Sequence, residues 1–256
     1  MPELPDLQVF SHNLQKLVLG KKVQKVLVHS KKIKVPAATF NDTLEGQQLK
    51  KVYRSGKELY FEFSKGDILA LHMMLRGKLH FSETEHKEKG TVLEMQFEDG
   101  SVLAMTDFMG AATPTLNPEA TDVPDALEVT LPYFKKQLEG ARTSIKNILL
   151  DQKIIRGIGN AYADEILWDA RISPFSIAGK IPADLVKALL HSTKELLTQA
   201  EKTILKTHPG IIAGEVRDFF KVHNAKQTHT PTGAAILIQT NAGRKTYYTD
   251  EQELFK

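Results

Sequence analysis

The sequence predicts an α+β fold, with a leading helix and a β-sandwich in the first half of its 256 residues and helices in the second. Three observations carry this prediction. Apolar residues alternate along short segments of the first half, and they recur at helical spacing between Pro182 and Pro209-Gly210. A stretch rich in proline and threonine separates the two patterns. A flattened barrel is the alternative arrangement for the strands.

The first half begins with a helix and continues with strands. Residues 7–19 carry apolar side chains at helical spacing after Pro5, which a helix tolerates in its first turn. Asp99-Gly100 is a tight-turn signal and indicates a hairpin. The strands expected from alternation or continuous apolar runs are 23–28, 33–35, 58–63, 68–72, 92–97 and 102–105.

The periodicity stops over residues 114–124, which predicts a linker or a long loop. Near the carboxyl end, residues 235–240 and 244–248 lie on either side of Asn241-Ala242-Gly243 and are expected to form a β-hairpin. The predicted domains are 1–124, 125–220 and 221–256.

Composition and charge exclude some classes of protein and favour others. No apolar run approaches the roughly 20 residues of a membrane helix. The acidic start does not resemble a signal peptide, and the absence of cysteine excludes disulfides and thiolate zinc sites. An intracellular, cytoplasmic protein is expected. Residues 1–57 carry eleven Lys/Arg against four Asp/Glu, which suits a polyanion such as nucleic acid or, alternatively, a solvated lysine face.

A glycine-bearing turn within residues 151–165 joins two predicted helices. Gly157 and Gly159 can adopt backbone conformations closed to other residues and expose amide donors. Asn160 lies near the start of the next helix, where free N–H groups favour an anion. The turn therefore predicts a phosphate cradle; an ordinary helical connection with an asparagine cap is the alternative.

Five segments in sequence order resemble the formamidopyrimidine-DNA glycosylase/endonuclease VIII family, and only their combination is specific. They are Met1-Pro2-Glu3-Leu4-Pro5-Asp6, Arg54-Ser55-Gly56-Lys57, the helix-two-turn-helix motif of residues 151–174, Arg217-Asp218-Phe219 and the finger segment Gly243-Arg244-Lys245-Thr246-Tyr247-Tyr248. The resemblance implies a bifunctional DNA glycosylase and abasic-site lyase of base-excision repair. It also implies a nucleoid-associated bacterial monomer without a cofactor, acting on DNA that contains oxidised bases or abasic sites.

The resemblance assigns covalent catalysis to Pro2 once Met1 is removed. An α-amino group titrates near about 8, so part of it is neutral at physiological pH, and its attack on the sugar gives an iminium ion. The resemblance makes Glu3 the general acid/base. Asp6, where the family more often has glutamate, is a possible auxiliary carboxylate. Without the resemblance, Pro2 is an ordinary second residue.

Phosphate contacts are likewise implied by the resemblance. Lys57 and Arg244 are expected to bind phosphates beside the lesion and to assist the two eliminations, since the guanidinium fork suits phosphate oxygens. Gly157, Gly159 and Asn160 complete the DNA-binding set. Unaided by the resemblance, Lys57 is a solvated turn lysine.

The finger segment of this chain differs from the family's finger at the positions of the metal ligands. That finger typically holds zinc with four cysteines, whereas this chain places Thr230, Thr232 and Thr249 approximately at the ligand positions. His223 and His229 cannot make a tetrahedral site alone. The sequence therefore predicts a zincless finger, in which hairpin packing replaces the metal, and no bound metal.

An enzyme that extrudes a nucleotide must fill the gap it leaves. Met74 or Leu75 is the candidate wedge of the loop after His72, although Met74 could equally be core. Phe108 or Met109 belongs to a second loop that lacks the family's Arg-Arg-Phe-Gly pattern. The expected substrates are therefore oxidised pyrimidines, ring-opened purines, hydantoins and abasic sites, with weak discrimination of the opposite base. A catalytically silent DNA-binding relative and a helix-two-turn-helix nucleic-acid module are the alternatives.

Overall fold

The structure, a computed structural model, describes residues 1–30, 32–84, 88–241 and 243–256. The chain divides into two compact units. The first comprises Met1–Thr121 and Thr203–Glu215, and the second Asp122–Lys202 and Val216–Lys256. None of the described helices combines the length and apolar character needed to cross a bilayer.

Over its described residues, the first unit contains two whole helices, eight strands and the end of a later helix. In chain order the whole elements are α1 (Leu4–Val18), β1 (Val23–Val28), α2 (Ala37–Leu44), β2 (Leu49–Ser55), β3 (Glu58–Phe63), β4 (Ile68–His72), β5 (Lys78–Ser82), β6 (Thr91–Phe97), β7 (Val102–Thr106) and β8 (Thr113–Leu116).

The strands form two antiparallel four-stranded sheets, in the orders β1-β6-β7-β5 and β2-β3-β4-β8. Side chains from both sheets share one hydrophobic core. Leu59, Phe61 and Phe63 of β3 are buried with Leu93 and Met95 of β6, as the alternation along each strand requires. The predicted β-sandwich is confirmed, and the flattened barrel is not formed.

Helix α1 begins where the sequence supplies a capping box. Glu3 is the N-cap residue, and its side chain and that of Asp6 bond reciprocally to backbone N–H groups; Pro5 lies in the first turn. One face of the helix joins the core through Leu7, Phe10, Leu14 and Val18. The amino terminus is therefore held by both capping and apolar burial.

Two predicted elements of the first unit are wrong. Residues 33–35 form no strand: Ile33 and Val35 pack against the core as partly buried side chains, without a backbone ladder. The predicted loop 114–124 begins inside strand β8, where Pro114 pairs with Leu71. Proline is tolerated there because β8 is an edge strand, in which one row of N–H groups has no neighbour to bond.

The second unit is mainly helical and ends in a hairpin. Its elements are α3 (Leu131–Leu138), α4 (Ile145–Leu150), α5 (Asn160–Asp169), a 3₁₀ turn (Ala178–Lys180), α6 (Ala183–Thr207), β9 (Leu237–Asn241) and β10 (Arg244–Tyr248). The last five residues of α6 belong to the first unit. The long helix and the hairpin were predicted; Ala242 of the hairpin turn lies outside the described residues. The three-domain division stays a prediction.

Candidate active site

A cavity of about 360 Å³ lies beside the amino terminus of the first unit. Pro2 lines it together with the apolar side chains of Leu75 and Phe108. Its polar lining consists of Arg76, Lys78, His80, Glu88, Thr106 and Glu215. The structure thus brings the predicted nucleophile and two candidate void-filling residues to one concave surface.

Both acidic residues near Pro2 are nearly inaccessible to solvent. Glu3 is 4% and Asp6 1% exposed. The Asp6 carboxylate accepts a hydrogen bond from the Glu3 backbone N–H at 2.9 Å. Asp6 therefore fixes the backbone of Glu3 at the start of the first helix.

Lys57 lies in the tight turn between β2 and β3, which Gly56 makes possible with a φ of 59°. Across the sheet, Glu58 pairs with His72. Burial lowers the pKa of His72; Glu58 opposes this shift and Lys57 adds to it. The neutral imidazole accepts a hydrogen bond at Nδ1 from the Met74 N–H, 3.0 Å away.

The loop over residues 73–77 is tightly built. Met74 has a φ of 51°, and the Gly77 N–H donates to the Met73 carbonyl at 2.8 Å. A Cβ at position 77 would lie 2.3 Å from that carbonyl oxygen, so only glycine fits. Leu75 is 64% exposed and lines the cavity, whereas Met74 is half-buried. Of the two wedge candidates, Leu75 has the exposure that insertion needs.

The second candidate loop is organised by Asp107. Its buried carboxylate accepts hydrogen bonds from the N–H groups of Met109, Ala111 and Ala112. Burial works to raise the pKa of Asp107, but these hydrogen bonds outweigh it and lower the pKa. The loop consequently presents Phe108, 82% exposed, and Met109, 60% exposed, to solvent.

Two polar features of the cavity escaped the sequence analysis. His80 bridges Glu88, at 3.0 Å from Nδ1, and the Thr106 hydroxyl, at 2.9 Å from Nε2. The Glu215 carboxylate contacts the amino-terminal ammonium of Met1. Neither lies in one of the five short segments that carry the family resemblance, and both pairings are made by folding, so no local pattern could have identified them.

In the second unit, the glycine-bearing turn is held by Gln152. Its side chain accepts a hydrogen bond from the Gly157 N–H at 2.9 Å and donates one to the Ile158 carbonyl at 2.9 Å. Gly157 has a φ of 105°, and Gly159 is the N-cap residue of α5. Asn160 donates from Nδ2 to the Lys245 carbonyl at 2.8 Å, which joins this turn to the hairpin.

A buried charge cluster also ties the hairpin to the helices. Asp164 lies 2.6 Å from Lys146 Nζ and 2.7 Å from His223 Nδ1, and it accepts a hydrogen bond from the Tyr247 N–H. Lys146 donates to the Thr246 hydroxyl at 2.8 Å. These bonds fix β10, at whose start Arg244 is exposed.

The neighbouring Glu165 binds the chain just before the finger. Its carboxylate accepts hydrogen bonds from the N–H groups of Lys221, Val222 and His223. Burial raises the pKa of Glu165, and the three N–H groups only partly compensate.

The threonines predicted at the zinc-ligand positions come together around a carboxylate. The hydroxyls of Thr230 and Thr232 lie 2.7 Å apart. Thr232 and Thr249 donate to Glu251 Oε2 at 2.9 Å and 3.4 Å. Zinc takes thiolate, imidazole or carboxylate ligands, so this set of hydroxyls does not fit the ion. The described residues include no group of three or more acidic, histidine or cysteine side chains that could hold a metal.

Glu251 extends this hydroxyl cluster to helix α5 and the residues that follow it. Its Oε2 accepts a hydrogen bond from Trp168 Nε1 at 3.2 Å and lies 2.9 Å from the Arg171 guanidinium. Partial burial works to raise the pKa of Glu251, but hydrogen bonds from Thr232, Arg171 and Trp168 lower it overall. One carboxylate thus connects groups that a metal would otherwise hold together.

Comparison with known proteins agrees with this architecture. The family models "Formamidopyrimidine-DNA glycosylase N-terminal domain" and "Formamidopyrimidine-DNA glycosylase H2TH domain" match residues 1–113 and 118–208. Formamidopyrimidine-DNA glycosylase of Ligilactobacillus salivarius is 33% identical over 252 residues, covering 90% of each protein. The protein of the same name from Enterococcus faecalis is 30% identical and covers 100% of this chain and 98% of its own.

Two solved structures extend the likeness to three dimensions. Wild-type Lactococcus lactis Fpg (MutM), in complex with DNA containing N7-benzyl-Fapy-dG, has a TM-score of 0.86 at 25% identity. MutM in complex with DNA containing carbocyclic 8-oxo-G has a TM-score of 0.86 at 26% identity. Each comparison covers 98% of this chain and 100% of the other.

The fold and these matches define the class: a DNA glycosylase of base-excision repair. Within that class, the chain belongs to the formamidopyrimidine-DNA glycosylase/endonuclease VIII family. The resemblance of its short motifs to this family is confirmed. The hairpin finger lies beyond both matched ranges, and there Thr232 donates a hydrogen bond to Glu251.

Replacing Asp107 tests how the exposed loop is held. Asp107→Asn should cost about 1–3 kcal/mol in the free energy of unfolding near pH 7, because the amide keeps only one acceptor oxygen and its NH2 group cannot accept the hydrogen bonds that the second carboxylate oxygen accepted. A lowered folded-state pKa contributes stability above the unfolded value of about 3.9 and loses it as the pH falls through the folded value. The gap between wild type and variant in urea unfolding should therefore narrow below about pH 4. An equal gap at pH 7 and pH 3 would contradict this, and exposed Asp42→Asn serves as control.

Glu251→Ala tests the carboxylate that joins the finger. It should lower the midpoint of thermal unfolding and speed proteolysis within residues 228–250, because Thr232, Trp168 and Arg171 lose their shared acceptor. The neighbouring exposed Asp250→Ala is the matched control. Equal behaviour of the two variants in both assays would show that Glu251 does not hold the finger.

Proposed function

We propose that this protein is a bifunctional enzyme that removes oxidised bases from DNA and then cleaves the strand, with Pro2 as nucleophile after removal of Met1. The observation that carries the proposal is the position of Pro2 on the cavity lined by Leu75 and Phe108. A nucleophile at the chain terminus, a concave pocket and exposed apolar side chains are the parts that base extrusion requires.

The chemistry follows from a secondary amine. In its neutral form Pro2 attacks the anomeric carbon of the damaged nucleotide, and the base leaves with the electron pair of the glycosidic bond and a proton. The bond from the anomeric carbon to the ring oxygen then breaks as that oxygen takes up a proton, and the nitrogen lone pair forms the iminium ion. This cation acidifies the adjacent sugar carbon, so that eliminations release the phosphates. Glu3, held by Asp6, is the proposed acid/base for sugar opening and base departure.

Cations at the surface are proposed to hold the DNA backbone. Lys57 and Arg244 are the proposed phosphate ligands, and the turn at Gly157, Gly159 and Asn160, whose Gly157 N–H is bonded to Gln152, is proposed to contact a further phosphate at the start of helix α5. The hydrogen bond from Asn160 to Lys245 supports a joint role of this turn and the hairpin.

The proposed substrates are ring-opened purines, oxidised pyrimidines, hydantoins and abasic sites. Relatives named formamidopyrimidine-DNA glycosylase, and a neighbour bound to Fapy-containing DNA, support the ring-opened purines. Leu75, Phe108 and Met109 are proposed to fill the gap in the duplex, since all three are exposed.

Borohydride trapping on abasic-site DNA tests the covalent mechanism. Processed wild type, verified by intact mass, should become attached to the oligonucleotide, while Pro2→Gly should fall to background because the secondary amine is lost.

Lys57→Ala should trap but release product slowly, with the turn lysine variant Lys65→Ala as matched control. Arg244→Ala should bind DNA less tightly and stall after the first elimination, with Arg244→Lys partly restored.

Failure of processed wild type to trap would overturn the enzymatic proposal. Retained binding of damaged DNA in that case would favour a catalytically silent DNA-binding relative.

Excision of one ring-opened purine opposite each of the four bases tests partner discrimination. The loop from Asp107 to Gly110 contains no arginine, and apolar Phe108 and Met109 offer no pattern of donors to a base edge. The four rates should therefore agree within about 10-fold, or about 1.4 kcal/mol. Strict dependence on cytosine would refute this.

A further inference from the structure

The cavity holds a second carboxylate directed at the chain terminus. Glu215 follows helix α6 in the first unit and lines the same cavity as Pro2. Its Oε1 forms an ion pair with the Met1 ammonium, and the two side chains are 39% and 26% exposed. No motif of the family resemblance includes Glu215.

Removal of Met1 transfers the free amine to Pro2. The two backbone nitrogens are separated by three bonds of about 1.46, 1.52 and 1.33 Å, so the Pro2 nitrogen lies within about 4 Å of the Met1 nitrogen. The carboxylate that pairs with the Met1 ammonium therefore lies close to the new terminus.

The other charged groups near this amine either have another partner or role, or are cations. Glu3 is the proposed acid/base for sugar opening and base departure, Asp6 accepts a hydrogen bond from the Glu3 backbone N–H, and Glu88 is paired with His80. Among the described residues that line the cavity, the remaining charged groups are Arg76 and Lys78, which in their protonated forms cannot accept a proton.

We propose that Glu215 is the local acceptor for the proton that the Pro2 ammonium loses before it attacks the sugar. The proposal rests on Pro2 being the nucleophile. When DNA covers the cavity and water leaves, the ammonium can no longer release its proton to bulk solvent. A carboxylate in contact supplies that acceptor, and general-base assistance of this kind contributes about 10²-fold or more.

The proposed step balances in protons and bonds when the substrate is the aldehyde of an abasic site. The Pro2 ammonium carries two protons on nitrogen. The first passes to Glu215, and the freed lone pair bonds to the aldehyde carbon, whose oxygen takes up a proton. Nitrogen loses its second proton as the hydroxyl departs as water, which leaves the iminium ion. Both protons end in that water molecule, and Glu215 returns to its ionised form.

Single-turnover trapping by processed Glu215→Gln tests the proposal. At pH 6–7 the rate should fall about 100-fold, and above about pH 9 it should approach that of wild type, because the free amine is then already neutral. Binding of the same DNA, measured separately, should not weaken, since the variant removes a negative charge. Glu98→Gln, an exposed carboxylate paired with Lys22 in the same unit, should leave the rate unchanged.

The possible outcomes separate the two proposals. If processed wild type does not trap, Pro2 catalysis itself fails. If wild type traps and Glu215→Gln matches it at every pH, or is faster at low pH, the carboxylate merely pairs with the ammonium and the inferred role is wrong. A deficit of the same size at every pH would indicate a structural role and would likewise overturn it. Partial recovery in Glu215→Asp would support proton acceptance.

Discussion

The anchoring of the amino terminus is the constraint on which the chemistry proposed for the first unit depends. A terminal amine is useful as a nucleophile only if the chain cannot fray, since conformational freedom would cost effective concentration at the sugar. Helix α1 prevents fraying in two ways: Glu3 and Asp6 cap its first turn, and Leu7, Phe10 and Leu14 anchor it in the core. Pro2, the residue before the N-cap, is thereby held at the cavity with little conformational freedom.

In the second unit, carboxylates hold the hairpin and the chain around it in place. Asp164 and Glu165 bind the hairpin and the chain that leads to it through ammonium, imidazole and backbone N–H groups. Glu251 gathers threonine hydroxyls, the Trp168 indole and the Arg171 guanidinium. A metal would organise such a finger through a few strong bonds, whereas here the order is spread over many hydrogen bonds of ordinary strength.

Much of the architecture was predictable, and the errors share a cause. Segments with strict alternation, such as residues 58–63, formed the predicted strands because one face had a core to meet. Ile33 and Val35 are apolar for the same reason, yet they meet the core as side chains without a strand partner. Pro114 was read as a loop signal, although an edge strand accepts proline. The apolar periodicity of a segment indicates which of its side chains are buried. Whether the segment pairs as a strand depends on other strands that lie far along the chain.

The sequence alone determined the class of fold, the family through its ordered short motifs, and the absence of a cysteine set at the finger. Those properties are local, because caps, turns and alternation act within a few residues. Only the tertiary structure decided that Leu75 rather than Met74 faces the cavity, that the threonines converge on Glu251, and that Glu215 contacts the terminus. Met1 and Glu215 are 214 residues apart, and only folding can bring such groups into contact.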